Sequence, residues 1–301
     1  MLSLKNIILI LLCMLSFSNL FSQKKETLKY IDTDSTQLKL DLYKPEKDVK
    51  NKFLSPLIIY VHGGGFADRN RKDGSNLGKY LSEQGMVVAS IDYTLYMKDK
   101  DYGCNGITSE KIKAIQIVAN QIWQATNFLL TQSDALKFNK RQVFLAGTSS
   151  GAESILHAAF WNRTQMLTQP NLLPADFKYA GIIAGAGAIM DLNLITKENK
   201  IPLFLFHGDK DATVPYATGS HRNCPPNSTG WLMLFGSQSI TKHLERLNGS
   251  CQLFTIKNGE HKDGDTYFYF EQHYIKRFIE DVILGDTFIR YEVKQIVKKQ
   301  L

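Results

Sequence analysis

The chain has 301 residues, of which 44% are apolar and 22% charged, the normal range for a globular protein with a substantial buried core. Its formal net charge is +7, but the basic residues are scattered, and no basic stripe with interleaved aromatic residues indicates a nucleic-acid surface. No Cys-x-x-Cys or His/Cys cluster is present, so the sequence predicts neither a metal site nor a cofactor.

The N-terminus has the pattern of a secretory signal. Lys5 precedes a short apolar run at residues 7–15, and small and polar residues follow as far as Ser22. We predict cleavage after Ser22, which leaves residues 23–301 as a single catalytic domain, periplasmic or secreted, with no stable insertion in a membrane. An uncleaved anchor is the alternative, although a spanning helix needs about 20 apolar residues and this run is shorter.

Two predicted strands lead into a glycine-rich loop. Residues 38–42 alternate between leucine and charged side chains, which predicts a half-exposed strand, whereas the apolar residues 56–61 predict a strand buried on both faces. The second strand runs into His62-Gly63-Gly64-Gly65-Phe66. Because glycines leave the backbone bare, the N–H groups of this loop can approach an anion.

A serine lies at a predicted junction between strand and helix. An apolar run at residues 143–146 is followed by Gly147-Thr148-Ser149-Ser150-Gly151 and then by apolar residues at helical spacing. So sharp a turn strains the serine backbone, and glycines on both sides relieve the crowding. Ser149 is the residue centred between the two glycines, so we favour it over Ser150 as a nucleophile.

Apolar strands and helices alternate through the rest of the chain. Further strands are predicted at residues 86–92, 179–184, 201–206 and 252–256, and helices at 76–83, 111–130, 237–247 and 267–284. For the basic tail at residues 286–301 we predict one more helix, packed on the outside of the domain. This order predicts an α/β fold, a mostly parallel central sheet with helices on both faces and an antiparallel N-terminal edge. The active site of such a sheet lies at the carboxyl ends of its strands.

Two polar loops follow the last two predicted strands. One contains His207-Gly208-Asp209-Lys210-Asp211 and continues to Val214-Pro215, and the other contains Gly259-Glu260-His261. Together with the glycine loop and the serine motif, they resemble the α/β-hydrolase family, on the esterase and lipase side that carries His-Gly-Gly-Gly. The likeness spans about residues 25–285 and agrees with the family's order of serine, acid and histidine.

The resemblance implies a serine hydrolase of carboxylic esters. Ser149 would be the nucleophile, His261 the base and Asp211 the acid that orients the imidazole. Asp209 remains an alternative acid, although the His-Gly-x-x-Asp spacing favours Asp211. Backbone N–H groups would hold the oxyanion, and the resemblance assigns them to Gly63, Gly64 and Ser150.

The lengths and residues of the predicted loops indicate what kind of substrate the site can bind. Only residues 185–200 separate two of the predicted strands, which leaves no room for a large lid and predicts an open site. Phe66, His221 and Trp231 are the candidate substrate-binding residues, although Trp231 can instead pack under its own long loop. We expect a small-molecule or carbohydrate-linked ester with a short acyl or aromatic group. A peptidase similar to prolyl oligopeptidase and a non-catalytic binding protein are the alternatives, and the oligomeric state stays open.

Three cysteines remain after the predicted cleavage: Cys104, Cys224 and Cys251. An exported protein can oxidise one pair, and three pairings are available. We favour Cys224–Cys251, because Cys224 lies in a long loop that a bridge would tie down. Three free thiols are the alternative.

Overall fold

The computed structural model describes residues 25–45, 54–168 and 173–295. The predicted signal segment, residues 1–22, lies outside these ranges, and its cleavage remains a prediction. Within them, no helix combines the length and the apolar character that crossing a membrane requires.

Strands and helices alternate along the described chain, broadly as the sequence predicts. The strands are β1 (Lys25–Asp32), β2 (Gln37–Tyr43), β3 (Ser55–Val61), β4 (Val87–Ile91), β5 (Phe138–Thr148), β6 (Gly181–Gly185), β7 (Ala188–Ile189), β8 (Leu203–Gly208), β9 (Thr218–Ser220), β10 (Met233–Gly236), β11 (Cys251–Ile256) and β12 (Ile289–Lys294). The α-helices are α1 (Ser75–Glu83), α2 (Thr108–Thr131), α3 (Ser133–Leu136), α4 (Ser150–Phe160), α5 (Arg163–Met166), α6 (Ser237–Arg246), α7 (Thr266–Tyr269) and α8 (Gln272–Leu284).

The main sheet has the strand order β1-β2-β4-β3-β5-β6-β8-β11-β12. Strand β2 is antiparallel to both β1 and β4, and the remaining neighbours, from β4 to β12, are parallel. The mostly parallel sheet with an antiparallel N-terminal edge is therefore confirmed. A small separate sheet joins β7, β10 and β9.

Helices cover both faces of the main sheet. Along β3, alternate side chains enter opposite cores: Leu57 packs with residues of α2 and α4, and Ile58 with residues of α1 and α8. Both side chains are fully buried, and each such burial stabilises the fold by about 1.5–3 kcal/mol. Two buried faces explain why the central strands are continuously apolar.

The strand predicted at residues 38–42 forms within β2, but its predicted half-exposure is wrong at Asp41. Asp41 is fully buried, because β1, which the sequence analysis did not predict, and the segment at Arg71 cover it. Its carboxylate accepts hydrogen bonds from Arg71 Nε at 2.8 Å, Thr27 Oγ1 at 2.7 Å and Lys25 Nζ at 3.2 Å. The charge is tolerated because it is paired.

The C-terminal end also differs from the prediction. The helix expected at residues 267–284 is interrupted between α7 and α8, and the tail forms strand β12 rather than an outer helix. Strand β12 pairs in parallel with β11, so its backbone groups satisfy an edge of the sheet that would otherwise be open. Phe288 precedes this strand and packs on Phe278 of α8, with ring centroids 5.9 Å apart.

The favoured disulfide is also wrong. Cys104 pairs with Cys224, with Cα atoms 5.2 Å apart, and Cys251 is a buried free thiol. The segments after β4 and β8 both lie at the carboxyl edge of the sheet, so Cys104 and Cys224 meet there. Cys251 begins β11 and therefore lies at the opposite edge, out of reach.

Candidate active site

Ser149 occupies a tight turn between β5 and α4. Its backbone has φ 52° and ψ −126°, a conformation that a non-glycine residue adopts only under strain. A Cβ on Gly151 would lie 2.2 Å from the carbonyl oxygen of Val61, and one on Gly147 would lie 2.9 Å from the same oxygen. Glycine is therefore required on both sides of Ser149, for the steric reason that the motif predicts.

The fold brings Ser149, His261 and Asp211 into one hydrogen-bonded chain. Ser149 Oγ lies 2.8 Å from His261 Nε2, and His261 Nδ1 lies 2.7 Å from Asp211 Oδ2. The three residues follow β5, β11 and β8, and these strands all end at the same edge of the sheet. With Nδ1–H donating to the carboxylate, Nε2 is free to accept the serine proton.

Asp211 is held by donors on both of its oxygens. Oδ1 accepts from the backbone N–H groups of Thr213 at 2.7 Å and Val214 at 3.0 Å, and Oδ2 accepts from His261 and from His207 at 3.1 Å. Burial alone would raise the pKa of this carboxyl, but the hydrogen bonds from the two histidines outweigh it and hold the pKa well below its usual range. Asp211 is therefore ionised at neutral pH.

His207 is a fully buried neighbour of the acid that sequence reasoning passed over. Its Nε2 lies 3.1 Å from both Asp211 Oδ2 and the carbonyl oxygen of Val214, which are both acceptors, so Nε2 carries the proton. Its Nδ1 then accepts from Ser237 Oγ at 2.9 Å. His207 thereby helps to fix the orientation of the carboxylate, through the same oxygen that His261 contacts.

The glycine loop lies directly beside Ser149. A Cβ on Gly63 would lie 3.3 Å from the Cβ of Ser149, and Gly64 has φ +103°, where a Cβ would lie 2.3 Å from the carbonyl oxygen of Asp68. In the described chain, the N–H groups of Gly63 and Gly64 donate no hydrogen bond to a backbone carbonyl, so they remain free for a ligand. Ser150 begins α4, so its N–H has no acceptor within the helix. These three N–H groups are the ones that the resemblance implies for an oxyanion hole.

His62 supports this loop. Its ring stacks on Tyr93 with centroids 4.1 Å apart, and Tyr93 Oη donates to the carbonyl oxygen of Gly63 at 2.9 Å. Burial lowers the pKa of His62 to about 4, so the ring is neutral at neutral pH. Its contacts are those of a buttress, since it hydrogen-bonds neither Ser149 nor Asp211.

A second set of contacts joins the serine loop to the histidine loop. Thr148 Oγ1 donates to Asp265 Oδ1 at 2.5 Å, and Arg69 Nη1 pairs with the other oxygen of Asp265 at 3.2 Å. Asp265 ends the short helical turn that begins at His261. Thr148, the residue before Ser149, therefore anchors the turn that carries His261, and this contact holds the two loops together.

Ser149 and His261 open into a cavity of about 510 Å³. Of the predicted substrate-binding residues, His221 lines this cavity. The prediction for Phe66 is wrong, because its side chain is fully buried and packs on Tyr93 and Tyr102. Trp231 does not line this cavity, and its backbone carbonyl accepts a hydrogen bond from Thr108 Oγ1 at 2.8 Å.

The mouth of the cavity has no large lid in the described chain. Between β6 and β8, only the two-residue strand β7 and one helical turn at Leu192–Leu194 are inserted. The His261 side chain keeps 27% of its surface exposed. The His261 side chain is therefore accessible to solvent in this fold.

Glu153 is a second residue that sequence reasoning passed over. It lies one helical turn after Ser149, is almost fully buried and still lines the cavity. The available signal was a charged residue on the helix after Gly-x-Ser-x-Gly, a helix otherwise apolar or small in its first two turns. No grouping of three His, Cys, Asp or Glu side chains suited to a metal ion occurs among the described residues.

Comparison with known families identifies one match. The family model BD-FAE matches residues 40–195, a segment that contains the glycine loop, the serine motif and Glu153. Asp211 and His261 lie beyond the matched segment.

Two curated proteins share shorter segments with the chain. A non-reducing polyketide synthase of Aspergillus novofumigatus is 38% identical over 72 residues, which are 24% of this chain and 3% of the synthase. An isoprenylcysteine alpha-carbonyl methylesterase of Arabidopsis thaliana is 27% identical over 132 residues, 44% of this chain and 27% of the methylesterase. The chain therefore spans at most 27% of the length of either relative.

Solved structures share the fold over most of the chain. Esterase 2 of Thermogutta terrifontis in its butyrate-bound form superposes with a TM-score of 0.61 at 15% identity, covering 87% of this chain and 95% of that one. The same esterase phosphorylated by paraoxon gives a TM-score of 0.59 with the same identity and coverage. At this identity the likeness shows that the two proteins share an α/β fold.

Proposed function

The chain belongs to the BD-FAE family of α/β-hydrolase-type esterases, and on this premise we propose that it is a serine esterase that cleaves carboxylic esters through an acyl-enzyme. The observation that carries the proposal is the chain of hydrogen bonds from Ser149 Oγ to His261 Nε2, at 2.8 Å, and from His261 Nδ1 to Asp211 Oδ2, at 2.7 Å. A serine hydroxyl needs such a base to become a nucleophile at neutral pH.

In the first half of the reaction, Ser149 Oγ attacks the ester carbonyl and its proton passes to His261 Nε2. The carboxylate of Asp211 stabilises the resulting imidazolium, and the N–H groups of Gly63, Gly64 and Ser150 hold the oxyanion. When the tetrahedral intermediate collapses, His261 gives the proton to the departing alcohol. The acyl group is then bound to Ser149.

In the second half, a water molecule enters from the open mouth of the cavity. His261 takes a proton from this water, which attacks the acyl carbon, and then returns the proton to Ser149 Oγ as the acid leaves. Every proton that is moved begins and ends on a group named here. No cofactor is needed.

The substrates that we propose are esters with a short acyl or aromatic group, on a small molecule or linked to a carbohydrate. Two observations support this range: the cavity is about 510 Å³, and the described chain inserts no large lid above it. The Thermogutta terrifontis esterase that shares the fold has been captured with butyrate, which also favours short acyl groups. The disulfide between Cys104 and Cys224 supports export of the protein, since such bonds persist in oxidising compartments.

Hydrolysis of p-nitrophenyl esters from acetate to octanoate tests the proposal. We expect turnover that is highest on the short esters and that falls by roughly 10⁴–10⁶ in Ser149→Ala. Ser154→Ala is the matched control, because Ser154 lies on the same helix and only donates to the backbone carbonyl of Ser150. Wild-type activity confined to a proline-linked peptide amide would assign the chain to the peptidases, and ligand binding without any turnover would make it a binding protein.

A further inference from the structure

Glu153 has a carboxyl oxygen without a hydrogen-bond partner in the described part of the chain and lies in the wall of the cavity that Ser149 also lines. It is 1% exposed and lines the cavity, and within the described structure its Oε1 has no hydrogen-bond partner. Its Oε2 accepts a long hydrogen bond, 3.3 Å, from Tyr102 Oη. A buried polar atom without a partner typically costs about 1–3 kcal/mol, so its presence in the wall of a cavity points to a ligand.

His221 presents a second such atom. It is also 1% exposed and lines the same cavity, and its Nδ1 has no partner among the described residues. Its ring packs edge-on against Tyr102, with centroids 4.8 Å apart. Tyr102 therefore contacts both groups, the carboxyl through its hydroxyl and the imidazole through its ring, and places them in one region of the cavity.

The catalytic chain does not use either group. In the described structure, the side chains of Glu153 and His221 make no hydrogen bond to the side chains of Ser149, His261 or Asp211. Glu153 lies in the first turn of the helix that follows Ser149, and both residues line the same cavity. A substituent a few bonds from the ester carbonyl can therefore occupy the cavity that both residues line.

The charge state of the region favours a neutral partner. Burial raises the pKa of Glu153 to about 8, and burial, with Lys111 and Arg222 nearby, lowers the pKa of His221 to about 3. Both side chains are therefore uncharged at neutral pH. Lys111 and Arg222 disfavour a substrate cation. Arg222 also lines the cavity, so a substrate anion is the competing ligand, and the anionic ester in the test below distinguishes it from a hydroxyl. A hydroxyl both donates and accepts, as this pair of groups requires.

We propose that Glu153 and His221, arranged around Tyr102, form a polar subsite that binds a hydroxyl group of the ester substrate. The hydroxyl belongs either to the acyl group or to the alcohol, and the subsite sets specificity for the reaction under "Proposed function", on which this inference rests. Substrates that lack the hydroxyl leave both polar atoms buried and unpaired.

Two matched pairs of esters test the subsite. Methyl 3-hydroxybutyrate against methyl butyrate probes the acyl side, and 2-hydroxyethyl butyrate against propyl butyrate probes the alcohol side. We expect the hydroxylated member of one pair to have a kcat/KM at least about tenfold higher, the worth of one or two hydrogen bonds. The pair that responds identifies the side.

Variants decide whether the subsite is responsible. The ratio of kcat/KM for the hydroxylated ester to kcat/KM for its partner should fall towards one in Glu153→Leu and in His221→Phe. The ratio should stay at the wild-type value in Glu83→Gln, which changes an exposed glutamate on α1. A ratio near one for both pairs in the wild type overturns the proposal, as does a ratio that both subsite variants leave intact. A larger preference for the anionic monomethyl succinate would also overturn it.

A binding measurement separates this inference from the proposed function. In Ser149→Ala, saturation-transfer NMR compares the affinity of the two members of each pair without any turnover. Tighter binding of a hydroxylated member that Glu153→Leu removes supports the subsite, even if the wild type hydrolyses none of the esters. Equal affinities within both pairs would refute the subsite while leaving ester hydrolysis intact.

Discussion

The disulfide between Cys104 and Cys224 should contribute much of the stability of the chain. The bond joins residues 120 positions apart, and the loop-closure entropy that it removes from the unfolded chain corresponds to about 5 kcal/mol. Measured values commonly reach about 2–4 kcal/mol, because reduced chains keep some structure. We therefore expect Cys104→Ser combined with Cys224→Ser to lower the free energy of unfolding by roughly 2–5 kcal/mol.

Urea unfolding followed by circular dichroism measures this difference. The wild type is unfolded with and without reductant, and thiol titration verifies that the bond has opened. The double serine variant with reductant is the control: its unfolding curve should not move, since Cys251 is already a buried free thiol. Superposable curves for oxidised and fully reduced wild type would refute the reasoning.

The same bond should affect substrate binding. Cys104 and Cys224 lie two and three residues from Tyr102 and His221, which line the cavity. Opening the bond frees both segments but leaves the contacts among Ser149, His261 and Asp211 in place. We therefore expect KM for a short ester to rise more than kcat falls, and the reverse pattern would show that the bond supports the catalytic chain instead.

Three further predictions concern single side chains. In Gly151→Ala the new Cβ would lie 2.2 Å from the carbonyl oxygen of Val61. Thermal unfolding should therefore show a free energy of unfolding lower by about 1–3 kcal/mol, and esterase activity should fall. Unchanged stability would contradict the steric argument. Asp211→Asn should lower kcat by roughly 10⁴, because an amide cannot hold His261 in the required tautomer, and circular dichroism should show an intact fold. A loss of kcat below tenfold would favour Asp209 as the acid instead. The pKa of Glu153 is raised from 4.5 to about 8, so its contribution to stability is fully present below pH 4.5 and is lost as the pH rises through 8. Unfolding of the wild type and Glu153→Gln from pH 4 to 9 should therefore show the wild type losing stability relative to the variant by up to about 1.4 kcal/mol per pH unit, and parallel curves would disprove the assignment.

The sequence alone determined the order of the central strands and the position of the candidate loops. Strands such as residues 56–61 are buried on both faces, and this leaves a local, continuous apolar pattern that can be recognised without knowing their neighbours. The glycines around Ser149 likewise report a local steric requirement, which Val61 imposes from the adjacent strand. The central strands were confirmed for this reason, whereas local periodicity failed at Asp41 and at the C-terminal end, where the predicted helices are interrupted or replaced by β12.

Predictions that depended on which distant groups meet were less secure. Asp41 is buried because Arg71, thirty residues later, neutralises it, and Cys224 pairs with Cys104 because both follow strands that end at the same edge of the sheet. Residues 289–294 form a strand because β11 offers an unpaired edge. None of these partners is near in sequence, so no local pattern could reveal them.

The candidate site shows the same division. The sequence could nominate Ser149, Asp211 and His261 by motif and order, but the distances of 2.8 Å and 2.7 Å among them exist only after three strands have aligned. The support that His207 gives to Asp211, and the unpaired oxygen of Glu153 in the cavity wall, are likewise properties of packing. Motifs nominated the candidate groups, and tertiary structure decided how they are oriented, because hydrogen-bond geometry depends on contacts between segments far apart in the chain.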